Sequence, residues 1–159
     1  MENLKQIVRM WSMPNHKTFE IPCIKQILND ELNNDYLDPF PLSESVFLKV
    51  DALQFLKNLK SNSENKIVFD PPYSQRQLKE MYQNIGFSYD MNNSYWSQCK
   101  DEIARITKSD GLVLSFGWNS NGIGKKRGFK IIKIWLIAHG SQHNDTIITL
   151  EKKVQSQLC

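Results

Sequence analysis

The sequence has few cysteines and no pattern that would link them. Its three cysteines, Cys23, Cys99 and Cys159, are far apart and odd in number, and no C-x-x-C pair occurs. A disulfide framework or a zinc cluster would need paired or closely spaced cysteines. We therefore expect no disulfide and no metal site, and we expect a reducing, cytoplasmic setting.

Long hydrophobic runs and a strong net charge are also missing. No apolar run approaches the ~18 residues of a membrane helix, and the N-terminal segment is too polar for a signal peptide, so no membrane association is expected. With 20 basic and 17 acidic residues the net charge is +3, which permits a nucleic-acid partner without requiring one. Because repeats and linkers are absent, residues 1–159 are predicted to form a single domain without a separate target-recognition domain.

What the sequence does contain is an alternation of helical and strand patterns. Alternating strands and helices predict an α/β fold whose sheet is mainly parallel, with helices on both faces. Thr18 is a plausible N-cap for the first helix, with Pro22 in its first turn. The predicted helices cover about 21–32, 52–60, 75–85 and 94–108, and the predicted strands are a short one ending at Asp38, then 45–50, 66–69, 111–118 and an antiparallel edge hairpin of 129–139 and 144–153.

Polar residues follow several of the predicted strands. Asp38, Asp51, Asp70 and the segment "SFGWNSNG" all stand at or just after a strand's carboxyl end. Ligands of open α/β sheets bind beyond those ends. The pattern therefore predicts a binding site at one edge of the sheet.

The stretch "KIVFDPPYS" carries the most specific chemistry. The prolines Pro71 and Pro72 end the strand and stiffen the turn, and Asp70 is held extended because it precedes a proline. Tyr73 can stack on a flat base, while Asp70 and the Pro71 carbonyl can accept hydrogen bonds from an exocyclic amine. Such an arrangement favours attack by the amine on an electrophilic methyl group through orientation and electrostatics.

"FDPPYS" resembles the catalytic motif of amino-directed DNA methyltransferases that use S-adenosylmethionine, and Asp at its first position is more typical of the N6-adenine members. The remaining segments resemble, in the same order, a small phage- or plasmid-type group of adenine methyltransferases. These segments are "WSMPNHKTF", "DPF", "DALQFL", "YWSQCKDEIARI", "SFGWNSNGIGKKRGF" and "HGSQHNDTIITLEKK". The resemblance covers most of the chain and implies a Rossmann-like methyltransferase fold.

The resemblance also implies roles for individual residues. The motif residues Asp70, Pro71, Pro72 and Tyr73 would hold the amine and stack the base, which would have to be flipped out of duplex DNA. The segments that match the cofactor motifs would bind S-adenosylmethionine. Their residues are Asp38, Pro39 and Phe40, then Asp51 and Ala52, and in the N-terminal segment Trp11, Thr18 and Phe19.

One segment departs from the family pattern. The family's first motif continues into a glycine turn, whereas this chain reads "DPFPLSES". Only ten residues separate Phe40 from Asp51, too few for the family's second strand and its helix, so about one βα unit is missing. The alternative hypothesis is thus a degenerate methyltransferase fold that binds nucleic acid or a partner subunit without catalysis. The missing unit would expose apolar sheet surface, which favours a homodimer.

Several further features have two interpretations. Asp51 could also be only the N-cap of the helix that follows it. Lys125, Lys126 and Arg127 in "GKKRG" could contact the DNA backbone or form a solvated turn. Asn119, beside Trp118, could line the base pocket and contact nucleic acid, although burial alone would explain the tryptophan.

Two questions about partners stay open at this point. His139 and His143 are four residues apart, but they fall at a hairpin without a third ligand, so metal binding is not expected. Related P-P-Y motifs also serve RNA bases and glutamine side chains of proteins. We expect DNA as the substrate because of the leading Asp and the basic turn.

Overall fold

The structure is a computed structural model that describes residues 6–40, 51–72, 94–140 and 143–154. Helices and strands alternate along these residues, as the sequence predicts. The elements are β1 (Gln6–Trp11), a 3₁₀ turn (Thr18–Glu20), α1 (Pro22–Leu32), α2 (Ala52–Asn58), β2 (Glu64–Phe69), α3 (Tyr95–Ile106), β3 (Thr107–Gly117), a second 3₁₀ turn (Lys125–Arg127), β4 (Phe129–Ala138) and β5 (Thr146–Lys153). The predicted strand at 45–50 and the predicted helix at 75–85 lie outside the described residues.

The five described strands form one sheet in the order β1-β4-β5-β3-β2. β1 pairs parallel with β4, and β2 pairs parallel with β3, while β5 lies between β4 and β3 and is antiparallel to both. Four strands therefore run in one direction, and their carboxyl ends meet at one edge. The predicted α/β fold, Rossmann-like with a mainly parallel sheet and a C-terminal antiparallel hairpin, is confirmed.

The position of the hairpin differs from the prediction. The β4–β5 hairpin is not the edge of the sheet, because β1 pairs along the outer side of β4, with Ile7 opposite Ile134. The sequence analysis did not predict β1. Its segment "QIVRMW" has only six residues and includes an arginine, so its apolar pattern is short.

The helices cover the two faces of the sheet separately. On β2 and β3 the side chains alternate, so that Ile67 and Val113 contact one helical layer while Val68 and Leu114 contact the other. We call these the α2/α3 face and the α1 face. On the α2/α3 face pack Leu53, Leu56, Cys99, Ile103 and Ile106, and on the α1 face pack Ile24, Ile27, Leu28 and Leu32. No helix in the described ranges is long and apolar enough to cross a membrane.

The start of α1 corrects one sequence prediction. Thr18 does not cap this helix, since it begins the preceding 3₁₀ turn and Ile21 occupies the N-cap position without a side-chain hydrogen bond. Ile21 has the extended backbone that a following proline favours, with φ −63° and ψ 123°. Pro22 is in the first turn as predicted, and the helix ends at Asn33, whose φ of 55° is left-handed.

Candidate active site at the carboxyl edge of the sheet

A single parallel bridge aligns the two acidic segments of the site. Leu37 pairs with Ile67, the Leu37 N–H donates to the Lys66 carbonyl (3.0 Å) and the Val68 N–H donates to the Leu37 carbonyl (2.9 Å). The predicted short strand before Asp38 is thus one bridge long. Because the bridge is parallel, Asp38 and Asp70 both leave the sheet at its carboxyl edge.

The charge of Asp38 is close enough to influence the ionisation of Asp70. Burial, and after it the charge of Asp38, raises the pKa of Asp70 to about 7, while a hydrogen bond from the Thr18 side chain opposes both effects. Burial likewise raises the pKa of Asp38 to about 6, against a hydrogen bond from the Phe40 N–H to its Oδ1 (2.8 Å). Thr18, Asp38 and Asp70 therefore form one cluster.

Next to this cluster lies an open pocket of about 220 Å³. Pro71 and Pro72 of the predicted motif form part of its wall. Other lining residues include the aromatic Trp96 and Trp118 and the polar Lys100, Ser115 and Asn119. Tyr73, the fourth residue of the motif, lies outside the described residues.

A buried acid binds the loop at residues 122–124, which borders the pocket. Glu151 on β5 is fully buried, and its carboxylate accepts hydrogen bonds from the N–H groups of Ile123 (2.6 Å) and Gly124 (3.0 Å). Gly122, which lines the pocket, packs against this carboxylate and has a φ of +54°. Burial raises the pKa of Glu151, while the two backbone hydrogen bonds and the charge of Lys100 lower it.

Asp51 and Ala52 are integrated into the helical layer. The Asp51 Oδ2 accepts a hydrogen bond from the Gln54 N–H (3.1 Å), so the predicted N-cap is confirmed, and its Oδ1 accepts one from the Tyr95 hydroxyl (2.6 Å). Ala52 is a buried member of the core. Both carboxylate oxygens therefore already have protein partners. The predicted contact of these residues with the cofactor stays a prediction.

Aromatic packing connects the remaining N-terminal residues to the site. Pro39 and Phe40 are buried, and the Phe40 ring lies 6.0 Å from Phe69 and 5.8 Å from Trp96, between centroids. Phe19 packs on the α1 face, with its ring centroid 5.5 Å from that of Phe116. Phe40 therefore borders the pocket wall, whereas Phe19 packs against the α1 face of the sheet.

Trp11 is a predicted cofactor residue that the structure places far from this cluster. It ends β1, and four strand spacings separate β1 from β2 in the sheet. At about 4.8 Å per spacing, that is about 19 Å. Its side chain is 64% exposed.

The predicted nucleic-acid residues separate into two groups. Asn119 lines the pocket and is exposed. Lys125, Lys126 and Arg127 form the second 3₁₀ turn, which leads into β4 and therefore lies toward the opposite edge of the sheet. The two lysines are exposed, but Arg127 is bound to Asp101 (2.6 Å) on α3.

His139 has a structural environment of its own. Its ring is buried, with Nδ1 3.0 Å from the Ser12 carbonyl oxygen and Nε2 2.8 Å from the Thr146 hydroxyl. Both ring nitrogens are therefore within hydrogen-bond distance of protein atoms. Among the described residues, no group of three potential metal ligands comes together.

Sequence reasoning missed two residues that border the site, Lys100 and Glu151. Lys100 stands in an ordinary amphipathic helix pattern, and Glu151 in a strand pattern, so neither carries a local signal. Ser115 is the first residue of the singled-out segment "SFGWNSNG", although the sequence analysis did not name its side chain as a site residue.

No protein-family model matches the sequence, and no curated protein matches it. Among solved structures, the chain is similar to a candidate DNA modification methylase from Thermus thermophilus, with 15% identity, a TM-score of 0.45 and coverage of 69% of this chain and 54% of that chain. The structure of that protein complexed with S-adenosyl-L-methionine gives 13% identity, a TM-score of 0.43 and coverage of 67% and 52%. A candidate methyltransferase from Escherichia coli gives 11% identity, a TM-score of 0.42 and coverage of 93% and 63%.

The chain spans about half the length of the Thermus structures that it matches. Similarity at this level carries no functional argument. The case for a function therefore rests on the chain's own residues at the carboxyl edge of the sheet.

Proposed function

We propose that the chain transfers a methyl group from S-adenosylmethionine to the N6 amine of adenine in DNA. The observation that carries the proposal is the position of Asp70-Pro71-Pro72. This segment follows β2 directly, its carboxylate interacts with a second acid, and its prolines line a pocket with aromatic walls. A rigid acceptor beside a slot for a flat ring is what an exocyclic amine needs.

Asp70 would orient the amine and stabilise the positive charge that develops on it. With a pKa of about 7, a substantial part of Asp70 is ionised at neutral pH and can accept a hydrogen bond from the amine. The Pro71 carbonyl would accept the second hydrogen bond. Trp96 and Trp118 offer aromatic surfaces for the base, which favours a base flipped out of the duplex.

The residues present fit a cationic cofactor. Asp38 and Asp70 place two carboxyl groups at one edge, with the Thr18 side chain hydrogen-bonded to Asp70, and negative charges stabilise a cation nearby. Asp38, Pro39, Phe40 and Thr18 are the residues that would hold it. When bound, S-adenosylmethionine supplies an electrophilic methyl group on a sulfonium. The carboxylates would orient that group toward the amine.

One observation favours the second candidate, a methyltransferase-like fold that binds nucleic acid or a partner without catalysis. Asp51 accepts hydrogen bonds on both of its oxygens from within the protein, which leaves less of it for a cofactor. Exposed apolar side chains on or beside the β1 edge are what a partner subunit or a homodimer would cover. They are Ile7 (61% exposed), Trp11 (64%) and Ile132 (40%).

Two assays on the purified chain separate these functions. Calorimetric titration with S-adenosylhomocysteine measures cofactor binding, and transfer of a radiolabelled methyl group to adenine-containing DNA measures the reaction. Asp70→Asn is the matched control because it keeps the shape of the side chain and loses the carboxylate. Cofactor binding with Asp70-dependent labelling of DNA supports the proposal; DNA binding without either supports the second candidate. If RNA or protein is labelled in preference to DNA when the two compete, that molecule and not DNA is the substrate.

A further inference from the structure

Two polar side chains on the pocket wall have no hydrogen-bonding task that the described part of the fold explains. Ser115 is 7% exposed, and its hydroxyl is buried without a hydrogen-bond partner among the described residues. Lys100 on α3 lines the same pocket, partly buried. A buried hydroxyl without a partner carries a desolvation cost, which a ligand acceptor would offset.

The ionisation of Lys100 responds to two charged neighbours as well as to burial. Burial lowers the pKa of Lys100, the charge of Arg127 lowers it further, and the charge of Glu151 raises it. Glu151 is itself engaged by the N–H groups of Ile123 and Gly124. Lys100 and Ser115 both line the pocket that Pro71 and Pro72 help to form, so each can offer a hydrogen-bond donor there.

In the proposed function, the ring whose amine Asp70 holds would occupy this pocket, and these donors would need an acceptor on that ring. The amino group of adenine is flanked by two ring nitrogens, N1 and N7, and both are acceptors without a proton. Guanine and thymine present a carbonyl in place of the amine, so they would face Asp70 with an acceptor. We propose that Lys100 and Ser115 bind a ring nitrogen that flanks the target amine, while Asp70 disfavours a base with a carbonyl in place of that amine. This inference rests on the proposed function, because it uses the same pocket.

The first experiment measures the binding of nucleosides by the isolated chain, which does not require methyl transfer. Adenosine, 1-deazaadenosine and 7-deazaadenosine are titrated, with ligand-detected NMR and tryptophan fluorescence as readouts. We expect the analogue that lacks the bound nitrogen to bind about tenfold more weakly than adenosine, the usual effect of losing one hydrogen bond to a charged or buried donor. The two analogues decide between N1 and N7.

The variants Lys100→Met and Ser115→Ala test the donors. Each variant should bind adenosine about tenfold more weakly than the wild-type chain does. Its affinity for the deaza analogue that lacks the bound nitrogen should be unchanged, because that analogue has already lost the acceptor. Equal weakening of all three ligands, or no weakening of adenosine, would overturn the inference. Absence of adenosine binding by the wild-type chain would also overturn it.

Two matched controls separate hydrogen bonding from folding. Thr149 pairs with Ser115 across β3 and β5, and its hydroxyl is also buried without a partner in the described ranges, yet it is not among the pocket residues. Ser115→Ala and Thr149→Val should both raise the unfolding temperature, but only Ser115→Ala should weaken the binding of adenosine. Lys25→Met, at an exposed position on α1, controls for the loss of a positive charge.

The proposed function has a separate readout in the same proteins. If adenosine binds as described but no variant and no wild-type chain labels DNA, the methyltransferase proposal fails and the base-binding inference stands. If DNA is labelled and Lys100→Met and Ser115→Ala label it at wild-type rates with wild-type base preference, the inference fails alone.

Discussion

The carboxyl groups of Asp38 and Asp70 interact across a single parallel bridge, so that charge on Asp38 raises the pKa of Asp70. The bridge between Leu37 and Ile67 is what brings them together. Each acid leaves the sheet at the same edge, where burial already disfavours the ionised form. The site therefore keeps two carboxyl groups that titrate near neutral pH, and this has measurable consequences.

The first consequence concerns stability as a function of pH. The pKa of Asp70 is about 7 in the folded chain and near 3.8 in an unfolded one, so the folded state holds the proton more tightly. Between pH 4 and pH 7 wild-type stability should therefore fall as the pH rises. Asp70→Asn removes this cost. It should be more stable than wild type by about 1–3 kcal/mol above pH 7, since each pKa unit corresponds to about 1.4 kcal/mol and the side chain is partly exposed.

Urea unfolding at pH 4, 5.5, 7 and 8.5 measures this difference. The gain from Asp70→Asn should be small near pH 4, where the folded wild-type chain is protonated at this position and the unfolded chain is partly so. Asp145→Asn, at an exposed position, is the control and should show no such trend. A constant difference between Asp70→Asn and wild type at all four pH values would contradict a raised Asp70 pKa.

A second prediction uses the two neighbours of Asp70, which act in opposite directions. Asp38→Asn removes a negative charge and should lower the pKa of Asp70, whereas Thr18→Val removes a hydrogen bond and should raise it. Carboxyl-carbon NMR titration of the two variants gives both values directly. Shifts in the same direction, or none, would show that these three side chains do not form one cluster. If methyl transfer is observed, its pH profile should move with the same signs.

Much of this architecture could be predicted from sequence, and the failures have physical causes. Buried strands such as β2 and helices with one apolar stripe, such as α1, have strong periodic patterns because one face must be apolar. The Asp70-Pro71-Pro72 turn is a local feature, so it too is visible. β1 was missed because it is short and lies at the edge, where four of its six residues are exposed.

Pairings between distant segments were beyond the sequence. The N-cap role of Asp51 is local and could be predicted, but its contact with Tyr95 depends on how α2 and α3 pack. The same holds for Glu151, which reaches the loop at Ile123 across 28 residues of sequence. Lys100 and Ser115 come together only through the packing of α3 on β3.

The contact between Asp51 and Tyr95 yields a third prediction. Tyr95→Phe deletes a buried hydroxyl that donates to a carboxylate at 2.6 Å, which should cost about 1.5–3 kcal/mol of unfolding free energy. Tyr36→Phe, on a partly exposed ring, is the matched control and should cost under about 0.5 kcal/mol. Chemical denaturation measures both.

The same variants test the predicted cofactor role of Asp51. If this acid contacts the cofactor, Asp51→Asn should weaken the binding of S-adenosylhomocysteine more than Tyr95→Phe does at comparable stability. Equal cofactor affinity in Asp51→Asn and wild type would leave Asp51 with its structural role as the N-cap of α2.

The last prediction concerns the loop at residues 122–124, which borders the pocket. Gly122 has a left-handed φ of +54°, and a Cβ at this position would collide with the carboxylate of Glu151. That carboxylate cannot easily retreat, because the N–H groups of Ile123 and Gly124 bind it. Gly122→Ala should therefore lower the unfolding free energy by about 2 kcal/mol or more, from backbone strain and the collision together.

Gly128→Ala separates the two contributions. Gly128 also has a left-handed backbone, with φ +85°, but the nearest atom to an added Cβ is the Val154 carbonyl oxygen at 3.8 Å, which is an ordinary contact. This variant should show only the cost of strain, about 1–3 kcal/mol. Thermal unfolding and adenosine binding are measured for both. If Gly122→Ala is no more destabilising than Gly128→Ala, the Glu151 carboxylate does not fix the loop. A larger loss in Gly122→Ala, together with weaker adenosine binding, would show that the buried acid holds the pocket wall in place.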